Sequence, residues 1–562
     1  MSHFTLKYCV ISFLGLSLYV GGCSKEALLP APPAPIVNAV IDNASVNNKL
    51  ITNGQIRYDI QADSIVFHIR FSADINLKEL KREKISFNNG IDTAYILLND
   101  TSKRILSFKI KKQLDYFTTY TLSISSGRNL GINLSNNYQY SFITQLDPAP
   151  KYPVIPDDSL LTLTQKQTFR YFWEYGHPVS GLARERTGSG ETVTIGGSGF
   201  GVMTIPVAIE RNWITRKNGF NRLLTIVNFL NTQADRFHGA FPHWLNGTSG
   251  KVQPFSLKDD GADLVETAFM IQGLLTAQQY FKNGNQEERN LCDTIQRIWE
   301  KVEWIWFQQD GQQKLYWHWS PNYDWAMNMP ITGWNEGLIV YVLAASSPTF
   351  PIEKSVYENG WARNGAIANG KLFYDVQLPL GEDRGGPLFF AHYSFLGLDP
   401  RNLSDTYANY WIQNSAHVQS NYRYCVGNPK GYYGYNTNCW GLSACDSPTG
   451  YGAFSPNYDN GTIAITAALS SFPYSPIESM QALRFFYYVL GDKIWDEYGF
   501  MDSFNLSEKW FSNSHLSIDQ GPVIIMIENY RSQMLWNLFM QNKEIQKGLS
   551  KLGFVYTSTI TT

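Results

Sequence analysis

The stretch Lys-Asp-Asp-Gly-Ala-Asp-Leu-Val-Glu-Thr-Ala-Phe-Met-Ile-Gln, at residues 258–272, predicts how the larger part of this chain folds. Gly261 breaks the chain, and a run that is hydrophobic on nearly every side begins at Leu264. A helix that is apolar all round is buried. Asp263 and Glu266 are three residues apart, so the first turn of this helix carries both carboxylates on one face. These carboxylates either cap the helix or serve as functional acids at the N-terminal end of a buried helix.

Two kinds of helical segment alternate from residue 157 onward. One kind is amphipathic and predicts half-exposed helices over residues 161–175, 221–237, 287–307, 405–423, 476–490 and 533–549. The other kind is apolar all round and follows loops with Gly or Pro, over residues 201–209, 263–280, 334–345, 387–396, 461–469 and 521–527. This alternation predicts an inner ring of helices wrapped by an outer ring, an all-α (α/α)6 barrel over residues 157–562. An irregular all-α domain is the alternative.

Residues 36–146 show a different pattern, in which short runs of alternating polarity are separated by turn residues. The runs predict strands over residues 56–60, 64–71, 93–98, 105–110, 119–124 and 139–144, and therefore a small all-β sandwich. The pattern resembles the bacterial Ig-like modules found before many secreted enzymes. Residues 147–156 are rich in proline and predict a linker.

The N-terminus predicts export. Lys7 precedes an apolar run that ends in Val20-Gly21-Gly22-Cys23 and is too short to span a bilayer as a helix. Small residues directly before a cysteine resemble a bacterial lipobox, which implies removal of residues 1–22 and lipidation of Cys23; a plain secretory signal is the alternative. Residues 23–35 predict a tether. The expected location is the bacterial cell envelope, lipid-anchored in the periplasm or at the outer membrane.

Composition narrows the classes of partner. The net charge is −2 and charged residues are only 17% of the chain, which gives no reason to expect nucleic-acid binding. No Cys/His spacing typical of a metal site is present, and we expect no metal and no cofactor. An exported chain permits a disulfide, for which Cys425 and Cys439 are the preferred pair. No coiled-coil or exposed apolar repeat stands out in the sequence, which favours a monomer.

Acids and aromatic residues concentrate in the loops before the predicted inner helices, whose N-terminal ends would share one rim of the barrel. The acids are Glu185, Asp263, Glu266, Glu336, Asp459 and Asp519. The other candidates for binding at this rim are Arg184, Arg186, His243, Trp319, Trp325, Trp334, Asn335, His392 and Tyr458. Flat rings cover the apolar faces of pyranoses, so the combination indicates a sugar-binding cleft. Helix caps, structural ion pairs and a large aromatic core are the alternatives.

Paired carboxylates across an aromatic cleft are what glycoside hydrolysis needs. One acid protonates the leaving oxygen, and the other activates water or attacks the sugar. The sequence contains no Gly-x-Ser-x-Gly elbow, Walker loop or His-Glu-x-x-His motif. Ser/His/Asp catalysis and zinc hydrolysis are therefore unsupported.

Several motifs occur in an order that is specific to one group of proteins. They are Tyr-Phe-Trp-Glu-Tyr-Gly-His-Pro and Gly-Leu-Ala-Arg-Glu-Arg within residues 167–186, Gly-Ala-Asp-Leu-Val-Glu-Thr at 261–267, Trp-Asn-Glu at 334–336, and Ile-Asp-Gln-Gly-Pro with Glu-Asn-Tyr-Arg-Ser within 518–532. From residue 157 to the C-terminus the chain resembles the glucoamylase-like bacterial proteins. More narrowly, it resembles glycoside hydrolase family 144, the endo-β-1,2-glucanases.

The resemblance implies an (α/α)6 barrel and endo-acting, inverting hydrolysis of β-1,2-glucan to short sophoro-oligosaccharides. It places the functionally important acids on Asp263, Glu266 and Glu336. We expect Glu336 to be the general acid, because its place before a buried helix would raise its pKa. Asp519 is the candidate base or water-positioning residue; Asp263 and Glu266 would bind substrate hydroxyls, or one of them would be the base. An inverting pair of carboxyls would lie about 6.5–9.5 Å apart.

Other activities stay open at this point. A polysaccharide lyase would use the same kind of helical toroid, but the acid-rich rim argues against it. A non-catalytic glycan-binding lipoprotein would need the aromatic residues without the acids. An exo-acting glucanase, or a hydrolase of another glucan linkage, would keep both the barrel and the carboxylates.

Overall fold

The computed structural model describes residues 36–88, 95–98 and 101–557. They form two compact units, of which the first ends at Phe142, while the second runs from Ile143 onward and includes Tyr58–Ile60 and Asp115–Thr118. The predicted signal segment, Cys23 and the tether lie outside the described residues. Among the helices that are described, none is long and apolar enough to cross a membrane.

The first unit is built of β-strands. They are β1 (Val37–Ala39), β2 (Ile41–Val46), β3 (Lys49–Ile51), β4 (Ile56–Ile60), β5 (Val66–Phe71), β6 (Ile85–Phe87), β7 (Tyr95–Leu98), β8 (Ile105–Ile110), β9 (Thr119–Ile124), β10 (Gly127–Asn129), β11 (Ile132–Leu134) and β12 (Tyr138–Thr144). The main sheets have the orders β3-β2-β5-β8-β7 and β4-β12-β9-β6. Their inner faces pack together, because Phe67 of β5 contacts Phe87 of β6 and Phe142 of β12 at ring-centroid distances of 5.5 and 5.8 Å. The Ig-like assignment of this sandwich stays a prediction.

The second unit is mainly helical. Its α-helices are α1 (Asp157–Trp173), α2 (Ile195–Glu210), α3 (Arg216–Thr232), α4 (Leu264–Phe281), α5 (Gln286–Glu300), α6 (Leu338–Ser346), α7 (Lys354–Val356), α8 (Tyr410–Gly427), α9 (Ile465–Leu469), α10 (Pro476–Tyr488), α11 (Gly491–Ile494), α12 (Ser517–Ser532), α13 (Met534–Met540) and α14 (Lys543–Leu552). Its short strands are β13 (Thr192–Thr194), β14 (Trp244–Asn246), β15 (Val252–Gln253), β16 (Ala262–Asp263), β17 (His318–Trp319), β18 (Leu372–Phe373), β19 (Val376–Gln377), β20 (Leu403–Ser404), β21 (Ala444–Cys445), β22 (Gly452–Ala453), β23 (Ile463–Ala464), β24 (Trp495–Asp496), β25 (Gly499–Phe500), β26 (Ser503–Asn505), β27 (Trp510–Phe511) and β28 (Val555–Tyr556).

The helices of this unit are arranged in two layers. The mostly buried elements α2, α4, α6 and the segment 388–396 contact one another in chain order, and α12 packs on that segment, on α9 and back onto α2, which closes a circuit. Each of them carries a half-exposed helix on its outer side: α3 on α2, α5 on α4, α14 on α6, α8 on the segment 388–396, α10 on α9, and α1 on α12. The outer helices cover the apolar inner ones from water.

One predicted inner helix is absent. Residues 388–396 form the 3₁₀ turns Leu388–Ala391 and Tyr393–Leu396 in place of a single α-helix. Side-chain N–H groups of the neighbouring helices donate hydrogen bonds to backbone carbonyls that would otherwise accept bonds within an α-helix. Gln272 donates to the carbonyl of Tyr393, Asn529 to that of Leu396, and Trp536 to that of Phe395. Competing polar partners of this kind cannot be seen in the local pattern.

Close packing of α2 on α4 places the two helix starts side by side. A Cβ at Gly273 of α4 would lie 2.1 Å from the carbonyl oxygen of Gly199 in α2, so only glycine permits this approach. The helix α2 begins at Ile195, six residues before the predicted start at 201. Its first turns contain several other glycines, which are typical of loops and hide the start of the helix in the sequence. The carboxylates that begin α4 are thereby held against the backbone that begins α2.

The predicted disulfide is wrong. Cys425 and Cys439 are free thiols, as are Cys292 and Cys445, and all four are buried. They pack as small apolar residues in the core. Position in a loop-rich segment is therefore not enough to pair two cysteines.

Candidate active site

A cavity of about 370 Å³ lies where the N-terminal ends of the inner elements meet. Its wall combines carboxylates, a histidine and an arginine with a set of aromatic rings. The lining residues are Glu185, Arg186, Thr194, His243, Trp244, Phe255, Val265, Glu266, Phe269, Trp317, Glu336, Phe389, Tyr393, Ala444, Tyr451, Leu516, Ser517 and Ile518. The cavity thus opens at the rim that the alternation of helices predicts.

Asp263 is fully buried before α4 and uses both carboxylate oxygens. Oδ1 accepts hydrogen bonds from the N–H groups of Val265 at 3.0 Å and Glu266 at 2.9 Å, which caps the helix. Oδ2 accepts one from Nδ1 of His243 at 3.0 Å. Burial by itself raises the pKa of Asp263, but the hydrogen bond and charge of His243 outweigh it and hold this pKa below its usual value. Asp263 is therefore a cap and an anionic partner at once, placed behind the cavity wall.

His243 lines the cavity as a cation. Burial alone lowers the pKa of its ring, but the charges of Glu266 and Asp263 raise it to about 9. His243, Asp259 and Asp263 offer one possible metal-ligand atom each, all within 4.8 Å of one another. The raised pKa of His243 and its hydrogen bond with Asp263 make these two residues an ion pair.

Glu266 lies in the first turn of α4 and is 7% exposed. Its Oε2 accepts hydrogen bonds from the backbone N–H of Gly196 at 2.6 Å and from the hydroxyl of Thr194 at 3.3 Å. A Cβ at position 196 would lie 2.6 Å from the same oxygen, so glycine is needed there. Burial and the charge of Asp263 raise the pKa of Glu266, while the cation of His243 and the bond from Gly196 oppose that rise.

Glu336 lies on the turn that leads into α6 and lines the same cavity as Glu266. Desolvation raises its pKa to about 7; a bond from its own backbone N–H opposes this, and the charges of Asp263 and Glu266 add to it. Asn335 shapes the turn, because its Oδ1 accepts from the N–H of Gly337 at 2.9 Å. At neutral pH Glu336 therefore holds a proton for a large fraction of the time.

Asp259 belongs to the opening stretch but was not among the predicted site residues. It is 4% exposed, and His318 lies 3.4 Å from its Oδ2. Burial and the charge of Asp263 raise the pKa of Asp259 to about 7. The antiparallel pairing of Asp263 with His318 in β16 and β17 brings these groups together. The cluster of acids in the sequence Asp-Asp-Gly-Ala-Asp could have indicated Asp259 as a site residue. The strand pairing that brings His318 next to it could not be predicted from the sequence.

Arg186 links the cavity to a second group of acids. Its guanidinium donates to Glu185 at 3.0 Å and to both oxygens of Asp446 at 3.1 Å. Arg186 and Glu185 both line the cavity, and the bond from Arg186 fixes the orientation of the Glu185 carboxylate. Asp446 was not predicted, because it lies 260 residues from its partner.

Asp519, the predicted base, lies beside this second group and outside the cavity wall. It is 1% exposed, and the hydroxyl of Tyr393 donates to its Oδ1 at 3.3 Å. Burial and the neighbouring charge of Asp502 raise the pKa of Asp519 well above its usual value. Asp502 is buried as well, and its pKa is raised to about 7. Burial and the neighbouring carboxyl both favour the protonated form of Asp519, which is the form that cannot accept a proton from water.

Replacing Asp519 by Asn is expected to change how stability depends on pH. In the native protein burial raises the pKa of Asp502 from 3.8 to about 7, so the folded state holds protons that the unfolded chain has released. The stabilising contribution of this pair is full below about pH 4 and is lost as the pH rises through about 7. We expect the thermal midpoint to fall over that range, and to fall less in Asp519→Asn. Calorimetry from pH 4 to 8 measures this, with the exposed Asp293→Asn as control; equal slopes in Asp519→Asn and wild type would contradict it.

Two predicted binding residues belong to the core. Trp334 is 6% exposed, and its ring N–H donates to His417 at 3.4 Å. His392 is buried against the hydroxyl of Ser471 at 3.1 Å, and burial lowers its pKa to about 3. Neither residue lines the cavity. An aromatic residue or a histidine next to a predicted inner helix is therefore not enough to predict a binding residue.

Asp459 and Tyr458 also lie away from the cavity. Asp459 is buried and accepts hydrogen bonds from the hydroxyls of Tyr424 at 2.9 Å and Tyr435 at 2.8 Å, which ties a loop together. Tyr458 is 61% exposed and stacks on Phe454. Asp459 therefore has a structural role.

Arg184 has a structural role too. Its guanidinium donates to the backbone carbonyls of Tyr175 at 2.5 Å and Gly190 at 2.8 Å, and it stacks over the ring of Tyr175. These bonds fix the loop that carries Glu185 and Arg186. Arg184 does not line the cavity, in contrast to its neighbours.

Trp319 and Trp325 form a separate aromatic group with His238 and Trp306. Trp306 stacks on His238 at 3.7 Å, while Trp319 and Trp325 lie 6.2 and 6.4 Å from Trp306. The aromatic residues that line the cavity are different ones, and the main additions are Trp244, Phe255 and Trp317. Trp244 directly follows the predicted His243, Trp317 lies two residues before the predicted Trp319, and Phe255 lies between His243 and Asp263 in the chain. The sequence pattern therefore pointed near these residues but not to them.

A family model described as "Putative glucoamylase" matches residues 328–543 of the chain. A crystal structure from Bacteroides uniformis, described in the same words, is 56% identical; the alignment covers 72% of this chain and 99% of that one, with a TM-score of 0.71. This chain belongs to the glucoamylase-like family. The helical double ring is thus the glucoamylase-like barrel, and the cavity lies at one end of it.

Other relatives of this glucoamylase-like chain carry names with a defined substrate. A structure of an endo-β-1,2-glucanase from Chitinophaga pinensis, in complex with sophorotriose and glucose, is 51% identical, covers 72% of this chain and 99% of that chain, and has a TM-score of 0.70. An exo β-1,2-glucooligosaccharide sophorohydrolase (non-reducing end) from Parabacteroides distasonis is 46% identical over 431 residues, which are 73% of this chain. The match spans 60% of the length of that relative.

Proposed function

We propose that this chain is a glycoside hydrolase of family 144, with an (α/α)6 barrel that cleaves β-1,2-glucan. The observation that carries the proposal is a pair of carboxyls in one cavity, Glu336 with a pKa of about 7 and Glu266 beside the cation of His243. Glycoside hydrolysis needs one protonated and one ionised carboxyl across the scissile bond. The names of the C. pinensis and P. distasonis relatives support the substrate.

The two carboxyls have different roles in this proposal. Glu336, protonated at neutral pH, gives its proton to the leaving glycosidic oxygen. Glu266 is the base: the N–H of Gly196 and the cation of His243 favour its ionised form against burial, which raises its pKa, and Glu266 takes a proton from the attacking water. Its Oε2 is held by Gly196 and Thr194, which fixes the carboxylate relative to the cavity. Asp263 stabilises the charge of His243 from behind the wall.

The aromatic wall supplies the binding surface. Trp244, Phe255, Trp317 and Phe389 line the cavity, and Phe255 packs on Trp244 at 4.9 Å. Such rings cover the apolar faces of glucosyl units, while the carboxylates and Arg186 meet their hydroxyls. A neutral glucan requires no strong charge of one sign, and the cavity contains both signs.

The mode of attack is proposed to be endo, with inversion at the anomeric carbon. The endo mode is supported by the higher identity, and the nearly complete coverage, of the C. pinensis endo-glucanase. An exo mode that releases sophorose is the second candidate, because the P. distasonis relative bears that name.

Linear β-1,2-glucan incubated with the protein lacking residues 1–22 tests the function. We expect a rapid fall in mean chain length, a range of short oligosaccharides, and proton NMR of the first products that shows the α anomer. Sophorose alone as the early product would replace the endo mode by the exo mode. A β anomer would replace inversion by retention. Cleavage of another glucan, and none of this one, would refute the substrate.

We also propose that the chain is carried to the cell envelope and anchored through lipid on Cys23, as the lipobox-like Val20-Gly21-Gly22-Cys23 indicates. The variant Cys23→Ala is expected to lose the membrane-bound fraction, because the acylated thiol is absent. Fractionation of cells that express each form, with labelled fatty acid as tracer, measures this. Equal membrane fractions in both forms would refute the anchor.

A further inference from the structure

A group of aromatic rings lies outside the cavity and has no role in the mechanism above. We call His238, Trp306, Trp319 and Trp325 the outer aromatic cluster. Trp306 stacks on His238 at 3.7 Å with the rings 11° from parallel, and Trp319 meets the same histidine edge-on at 4.9 Å. Trp325 lies 6.4 Å from Trp306.

The cluster is held rigidly. Nδ1 of His238 lies 3.1 Å from Oε2 of Glu303, which fixes the ring on which Trp306 stacks. The backbone of Trp319 is paired with Ala262 across β16 and β17. Rings fixed in this way lose little conformational entropy when a ligand binds to them.

Trp306 is nevertheless 39% exposed, although large rings are usually well covered. Ile305 and Tyr323 nearby in the chain are exposed as well, at 47% and 39%. A rigid and open group of aromatic side chains marks a binding surface.

The chain leads from the cavity wall directly into the outer aromatic cluster. Trp317 lines the cavity, and its ring lies nearly parallel to that of His318, with the two centroids 5.8 Å apart. Trp319, the next residue, contacts His238 at 4.9 Å and Trp306 at 6.2 Å between ring centroids.

We propose that the outer aromatic cluster is a remote subsite that stacks a glucosyl unit of a long glucan chain whose cleaved bond lies in the cavity. This inference rests on the proposed function. The occupant is a neutral sugar chain because Trp317 of the cavity wall is two residues from Trp319 of the cluster, and the cluster presents flat rings. A chain long enough to reach Trp306 gains this contact, and a trisaccharide confined to the cavity does not.

The variant Trp306→Ala tests the subsite. We expect KM for polymeric β-1,2-glucan to rise about tenfold, the effect of losing about 1.4 kcal/mol of binding. kcat on the polymer, and both constants on sophorotriose, should stay within about twofold, since the catalytic carboxyls are untouched. Trp306→Phe keeps an aromatic face and should restore most of the affinity. Tyr530→Ala, which removes a ring that is 44% exposed near the C-terminal end of α12, is the matched control and should leave all constants unchanged.

Several outcomes would overturn the subsite alone. The subsite is refuted if Trp306→Ala leaves KM on the polymer unchanged, or if KM on sophorotriose rises as much as KM on the polymer. It is also refuted if size-exclusion chromatography shows that Trp306→Ala dissociates a dimer of this chain, because the cluster would then be a dimer contact. If the wild type cleaves no β-1,2-glucan, the proposed function fails and calorimetric binding decides the subsite. Glucan binding that Trp306→Ala weakens about tenfold would keep it, and absence of glucan binding by the wild type would refute it as well.

Discussion

Replacing Glu336 by Gln lowers kcat on β-1,2-glucan about a thousandfold in the expected result, with little change in KM. General acid catalysis contributes roughly 10²–10⁴ to rate, and this amide has the shape of the acid without its proton. Removing Glu336 leaves Glu266, His243 and the aromatic wall in place, so substrate still binds. Steady-state kinetics on the polymer measures the loss.

The leaving group provides the control for that experiment. An aryl β-sophoroside with a nitrophenolate leaving group needs little protonation, so Glu336→Gln should cleave it at a rate much closer to that of the wild type. The wild-type rate on the polymer should decline above about pH 7, as Glu336 loses its proton. An equal loss on both substrates, at a thermal midpoint near that of the wild type, would mean that Glu336 is not the acid.

The fold was predictable from the sequence because its strongest signal is local. An apolar run on all sides of a helix is a property of adjacent residues, and it placed α2, α4, α6 and α12 in the inner ring. The segment 388–396 was not predictable in the same way. Its carbonyls bond Gln272, Asn529 and Trp536, which lie more than a hundred residues away in the chain.

The candidate site was predictable in part for the same reason. Glu266 and Glu336 each precede or begin a buried helix, and both line the cavity. Asp459 begins an apolar segment in the same way, but two tyrosine hydroxyls occupy it as a structural acceptor. The position of an acid relative to a helix can be predicted from the sequence, whereas its hydrogen-bond partners depend on tertiary contacts.

Asp519 shows a further limit. Whether an acid is charged depends on its desolvation and on its neighbours, and the neighbour that raises its pKa is Asp502. The distance between these two acids cannot be read from their spacing along the chain. Burial raises the pKa of Glu266 as well, but the neighbours of Glu266 include the cation of His243, which opposes that rise. Glu266 lines the cavity and Asp519 does not, so we infer that Glu266 is the base, and this inference gives the second strong prediction.

Replacing Glu266 by Gln is expected to lower kcat about a thousandfold as well, but with a different signature. The amide can still accept the N–H of Gly196, so the start of α4 should keep its structure and the thermal midpoint should stay near that of the wild type. Without a base the attack of water limits the reaction, and a better leaving group does not help. The nitrophenyl sophoroside should therefore be cleaved as poorly as the polymer. This is the reverse of what is expected for Glu336→Gln.

Thr194→Val is the matched control for the Glu266 experiment. It removes one hydroxyl, 3.3 Å from the same carboxylate, and keeps the charge. We expect a loss of less than about tenfold, since this hydrogen bond is long, a typical hydrogen bond contributes about 1 kcal/mol net, and the N–H of Gly196 remains. If the activated sophoroside restores Glu266→Gln to the wild-type rate, Glu266 serves the leaving group instead of the water. The roles of the two carboxyls would then have to be exchanged.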